Sequence, residues 1–193
     1  MGRPLTDPNQ VVLTYLWWRR EGIGTKAIMD RLRTMFDTKI VGQRTVEMKV
    51  LVGDIWKVQT DFRGVTTNGF VTRAGNAVMG RGVALQAKRR FPGIERQLGK
   101  AITGGGNRVH MLDPCLFSFP VKHNWWQRAD PDLIHRSVGE LKELADRLPD
   151  RSFAIPLPGT GNGGLKPEEV WPLLQDLPDN VVVVVYDPEM LPK

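Results

Sequence analysis

The apolar positions of this 193-residue chain fall into short runs separated by stretches in which they recur every three or four residues. That change of period predicts strands alternating with helices, the pattern of an α/β sandwich. The runs predict strands over 45–52, 64–67, 109–112, 116–121, 153–157 and 180–186. Helical spacing predicts helices over 83–90, stopped by Pro92, around 94–102, and from Asp130-Pro131-Asp132 to about Leu148. On the last helix, Leu133, Val138, Leu141, Leu144 and Leu148 trace one buried face. Valines 181–185 form an unbroken apolar run, which suits the interior of a sheet rather than a half-exposed strand.

The first 44 residues read differently. Residues 8–21 and 25–36 predict two helices, with a third short element near 41–45 that suggests a helix-turn-helix. Arg19, Arg20, Lys26, Arg31, Arg33, Lys39 and Arg44 would be available there for phosphates, while a packing or dimerisation arm explains the same pattern equally well. The expected division is therefore a small helical region at 1–44 followed by one α/β domain at 45–193.

Composition narrows the class. A hydrophobic content of 41% fills a sizeable core, and the +6 net charge favours polyanionic partners, with DNA a candidate. The single cysteine, Cys115, excludes an internal disulfide, and no spacing of His, Cys or acidic residues suggests a metal site or any cofactor. No apolar run approaches membrane-spanning length and the first residues lack a signal-peptide core, so a cytoplasmic protein with no membrane partner is expected.

The candidate chemistry sits in two glycine clusters. Residues 156–165, Pro-Leu-Pro-Gly-Thr-Gly-Asn-Gly-Gly-Leu, join a buried strand to a helix start at Lys166-Pro167-Glu168-Glu169-Val170. Such a turn allows positive φ and lets backbone N–H groups approach an anion. Gly159, Gly161 and Gly164 also satisfy G-x-G-x-x-G, yet a dinucleotide fingerprint normally opens the first βα unit, and a plain tight turn fits as well. The second cluster, at 75–82, leads into the helix over 83–90, placing Gly80 and Gly82 at a helix N-terminus with unpaired N–H groups. Two such loops are suited to holding a diphosphate from opposite sides.

Taken with Gly53-Asp54-Ile55, Thr66-Thr67-Asn68-Gly69 and the F-P-x-K-x-x-W segment from Phe119 to Trp125, these loops make the chain resemble the macrodomain family of ADP-ribose-binding modules. The resemblance runs from about Val46 to Tyr186. Its nearest branch holds the terminal ADP-ribose protein glycohydrolase and the antitoxins that remove ADP-ribose from DNA, and Asn162-Gly163-Gly164 with Lys122-His123-Asn124-Trp125 is more similar to the latter. It implies a three-layer α/β/α sandwich with a mixed sheet. It also implies an ADP-ribosyl glycohydrolase acting on a DNA nucleobase or a protein. The alternatives are an ADP-ribose 1″-phosphate phosphatase and a non-catalytic ADP-ribose sensor with a DNA-binding N-terminal region.

The resemblance likewise assigns roles. Lys122 is the expected nucleophile, attacking the anomeric carbon of the distal ribose as a neutral amine; Trp125 and Trp126 nearby would help desolvate it. Asp54 and Ile55 would receive the adenine, with Tyr186 beside it. Thr67 and Asn68 would lie near the distal ribose, although Asn68 equally suits a tight turn. Gly80, Arg81, Gly82 and Val83 form one phosphate loop, in which Arg81 also reads as a solvated charge. Gly159, Thr160, Gly161, Asn162, Gly163, Gly164 and Leu165 form the other. Gly163 departs from the terminal glycohydrolase, which carries an aspartate there that helps resolve the lysine adduct. His123 is a candidate proton carrier.

Overall fold

The computed structural model describes residues 48–112 and 115–192. The N-terminal helices, the element near 41–45 and the boundary at 44/45 lie outside the described residues. Five strands, β1 (Lys49–Val52), β2 (Phe62–Asn68), β3 (Leu116–Lys122), β4 (Phe153–Pro156) and β5 (Val181–Val185), form one sheet ordered β1-β5-β4-β2-β3. Every pairing between them is parallel.

A parallel sheet must cover both faces, and alternate strand residues here pack against different helices. Phe117, Phe119 and Val121 of β3 join Ile134, Val138 and Leu141 of α3 (Pro131–Asp146) and Val170 of α4 (Pro167–Val170). Leu116 and Val65 instead join Ala84 and Ala87 of α1 (Gly82–Arg90) with Ile94 and Leu98 of α2 (Ile94–Gly105). The result is the three-layer α/β/α sandwich. The five-valine strand lies between β1 and β4, inside the sheet as its composition predicts.

The expected mixed sheet needs one correction. Residues 109–112 make no strand; their antiparallel pairing is reduced to a Met111–Phe117 bridge. Ser118 interrupts the ladder, because its Oγ accepts the His110 N–H at 2.9 Å and donates to the Arg108 carbonyl at 3.0 Å. A second isolated antiparallel bridge joins Val71 and Ala77. Among the described residues, no helix is long and apolar enough to cross a membrane.

Because all five strands point the same way, their carboxyl ends open along one edge of the sheet. Gly53-Asp54-Ile55 follows β1, Asn68 ends β2, Lys122 ends β3, residues 157–165 follow β4 and Tyr186 follows β5. Ligands of open α/β sheets collect at that edge.

Candidate functional site

A register shift between Thr67 and Asn68 places Asn68 directly opposite Lys122. Lys122 Nζ donates to the Asn162 carbonyl oxygen at 2.6 Å, which ties the end of β3 to the glycine loop after β4. Burial pushes the Lys122 pKa below the usual lysine value, and the nearby positive charge of Arg81 lowers it further. An amine that spends one N–H on Asn162 keeps its lone pair for another partner once it is neutral. Trp125 and Trp126 are 53% and 59% exposed, so both rings keep about half their surface in solvent.

The glycine loop has a defined internal architecture. Gly163 N–H reaches Thr160 O, Gly164 N–H reaches Gly161 O and Leu165 N–H reaches Gly159 O, all within 3.1 Å. These bonds consume the amides of residues 163–165. Those of Thr160, Gly161 and Asn162 take no partner among the described residues, and they are the donors available to an anion. Gly159 is required on two counts: its φ is +76°, and a Cβ would meet Ile134 Cδ1 at 2.7 Å. Gly163 differs, since its φ is not positive and a Cβ there would lie 3.1 Å from Ala129 Cβ, a tight contact rather than a backbone restriction.

Opposite stands the loop leading into α1. Arg81 occupies the N-cap in extended backbone, with no side-chain cap and no acidic residue in the first turn. The N–H groups of Gly82, Val83 and Ala84 are therefore not capped from within, and the helix dipole presents its positive end there. The two loops approach each other closely: a Cβ on Gly82 would lie 3.4 Å from Asn162 Nδ2. A Cβ on Gly80 or Gly161 would meet nothing within 4 Å among the described residues, so their backbone is open to approach.

The remaining candidates have mixed fates. The Asn68 amide is engaged in the turn: its Nδ2 donates to Val78 O at 2.8 Å while its Oδ1 accepts the Phe70 N–H at 3.1 Å, tying the end of β2 to the approach to the 80–83 loop. Thr67 is buried, and its Oγ1 has no partner among the described residues. Asp54 is exposed and accepts the Trp56 N–H at 2.9 Å, while Ile55 is buried. Tyr186 is 75% exposed, which leaves its ring free for a ligand. His123 Nε2 lies 3.0 Å from Asp130 Oδ2, and Asp130 also caps α3 through the Asp132 N–H at 2.9 Å. Among the described residues, no group of three or more His, Cys, Asp or Glu is placed to hold a metal ion.

Sequence reasoning misses three supporting side chains. Arg63 Nε and Nη2 donate to the Ile55 and Val58 carbonyls at 2.7 and 2.6 Å, pinning the loop that carries Asp54. Asn107 Nδ2 donates to the Lys122 carbonyl at 2.9 Å. Arg128 Nε donates to Gly164 O at 3.1 Å, and its Nη2 meets both Glu169 oxygens at 2.9 Å. Glu169 in turn accepts the Lys166 N–H at 2.7 Å. Only this last contact had a local signal, the glutamate three residues into a helix start.

No protein-family model matches the chain. Two curated proteins named DNA ADP-ribosyl glycohydrolase are similar in sequence. That of Thermus aquaticus is 34% identical over 129 residues, covering 60% of this chain and 36% of the relative. That of Mycobacterium tuberculosis is 33% identical over 152 residues, covering 70% and 41%. The chain thus spans about two fifths of the length of the curated relatives it matches. Among solved structures, the macrodomain of Mycobacterium tuberculosis DarG superimposes with a TM-score of 0.60 at 28% identity, over 73% of this chain and 98% of that one. With these similarities, and with the family's ordered motifs gathered on one edge of its sheet, the chain belongs to the macrodomain family, on the branch of the DarG macrodomains.

Proposed function

We propose that the chain binds ADP-ribose across its two glycine loops and hydrolyses the glycosidic bond joining ADP-ribose to a DNA nucleobase. The supporting observation is the Lys122–Asn162 contact, which holds a depressed-pKa amine at the rim of a loop whose Thr160, Gly161 and Asn162 amides are free for phosphate. The 80–83 loop faces them from the α1 N-terminus. In this reading Asp54 and Tyr186 take the adenine end and the distal ribose lies at the end of β3. Similarity to proteins named DNA ADP-ribosyl glycohydrolase supports the nucleobase as acceptor.

The chemistry follows from the amine. The Lys122 lone pair forms a bond to the anomeric carbon; the glycosidic bond breaks, and the base departs with its electron pair and takes up a proton. Water then hydrolyses the lysine adduct to release ADP-ribose and regenerate the amine. Gly163 supplies no carboxylate for this second step, which therefore relies on water and the groups that remain.

A turnover panel tests the reading. ADP-ribosylated single-stranded DNA, ADP-ribosylated protein and ADP-ribose 1″-phosphate are incubated separately with the chain, and released ADP-ribose or phosphate is measured. Release from DNA alone supports the proposal. Preference for the phosphate makes the chain a phosphatase, and calorimetric binding of ADP-ribose without turnover of any substrate makes it a sensor.

A further inference from the structure

Large apolar side chains that remain in solvent call for a reason, and two of them stand directly beside the site. Trp125 and Trp126 meet edge-to-face with ring centroids 5.4 Å apart, and Trp126 meets Phe70 in the same way at 5.5 Å. This ladder of three rings is built on firm ground. The Gly69 N–H, next to Phe70, is shared between the Lys122 and His123 carbonyls at 3.1 and 3.0 Å. The turn carrying the tryptophans is closed by Gln127, whose N–H reaches Asn124 O at 3.2 Å and whose Oε1 accepts the Asn124 N–H at 2.8 Å. The rings are therefore held at the end of β3, within a few residues of the amine.

Arg73, just beyond Phe70, and Arg81 make no ion pair among the described residues, whereas Arg128 is matched by Glu169 and His123 by Asp130. Exposed aromatic faces beside unmatched cations complement a polyanion with flat apolar faces. A single strand of nucleic acid has both, whereas a duplex hides its base faces in the stack.

We propose that the Phe70–Trp126–Trp125 ladder is a stacking platform for the unpaired nucleotides that flank the ADP-ribosylated base, so that the chain reads the strand as well as ADP-ribose. This rests on the DNA glycohydrolase reading and adds to it a contact surface for the strand on either side of the modified base. The platform positions the strand and takes no part in bond breaking.

The test compares kcat/KM on two substrates, an ADP-ribosylated single-stranded oligonucleotide of about ten nucleotides and the ADP-ribosylated mononucleoside. The wild type is expected to favour the oligonucleotide by about tenfold or more. In the double variant Trp125→Ala/Trp126→Ala that ratio should fall towards one, while Trp125→Phe/Trp126→Phe, which keeps π faces, should retain most of it. An independent measurement needs no variant: unmodified single-stranded oligonucleotide should quench tryptophan fluorescence of the wild type, and the matching duplex should not. If the wild type releases nothing from either substrate, the glycohydrolase reading fails. If it turns over both but the ratio is near one, or is unchanged in the alanine variant, or no quenching occurs, the platform alone is overturned. Loss of a dimer in the alanine variant with an unchanged ratio would assign the rings to a second copy of the chain and overturn it too.

Discussion

Lys122 Nζ and the Asn162 carbonyl oxygen, 2.6 Å apart, join the end of β3 to the loop after β4 across the intervening strand β2. If this amine is the nucleophile, Lys122→Ala should lower single-turnover release of ADP-ribose from modified DNA by at least about a hundredfold. Lys122→Arg should do no better, since a guanidinium stays protonated at any accessible pH. Calorimetric affinity for free ADP-ribose should change by less than about tenfold in either, because on the proposed reading the phosphate contacts come from backbone amides. Normal turnover in Lys122→Ala removes the residue from the reaction.

The electrostatic coupling to Arg81 gives a pH signature. The pKa of Lys122 is lowered from the ordinary 10.5, so the neutral, reactive fraction grows as pH rises through a midpoint below that value. Arg81→Gln removes a positive neighbour, makes the ammonium easier to hold and should move the rising limb of the rate to higher pH. Single-turnover rates against pH check this, and a limb that stays still or moves to lower pH refutes the coupling.

Gly163 offers a structural prediction. A Cβ at this position meets Ala129 at 3.1 Å, and the Ala129 N–H is already bound to Gly163 O at 2.8 Å, so the two segments cannot simply separate. Gly163→Ala and Gly163→Asp should each lose roughly 1–3 kcal/mol by overpacking. Ala129→Gly should recover part of that loss, visible as a coupling in a double-mutant cycle of denaturation midpoints. Additive effects would show that the contact is not the cause.

Arg63 holds the loop after β1 through two of its carbonyls. Arg63→Ala leaves the Ile55 and Val58 carbonyls without their donors, and the expected loss is about 2 kcal/mol of stability. The loop holding Asp54 should loosen as well, weakening ADP-ribose binding severalfold while the rate at saturation is kept. Unfolding curves and calorimetry on the same variant separate the two effects.

Much of this organisation was readable in the chain. Glycine spacing located both loops, the valine run named an inner strand, and Asp130-Pro131 marked the start of α3 at its observed place. What escaped was carried by contacts far apart in sequence. Arg128 and Glu169, Arg63 and Val58, and Asn107 and Lys122 follow no local period, so nothing along the chain announces them. The strand at 109–112 failed for a related reason: its apolar pattern is sound, but a hydroxyl from Ser118 takes the place of a backbone rung. The same holds for the loop donors, where spacing marks residues 159–165 but only the folded turn separates free amides from occupied ones.

The stretch Arg128-Ala129-Asp130 concentrates several anchors in three adjacent residues. Arg128 grips Gly164 O, the Ala129 N–H holds Gly163 O, the Asp130 N–H holds Val121 O, and the Asp130 carboxylate starts α3. Loop, Lys122-bearing strand and helix are thereby hinged on one short keystone. On the proposed reading, substitutions in the ring-bearing turn just before it would change strand binding alone, whereas a change within the keystone would disturb recognition and reactivity together.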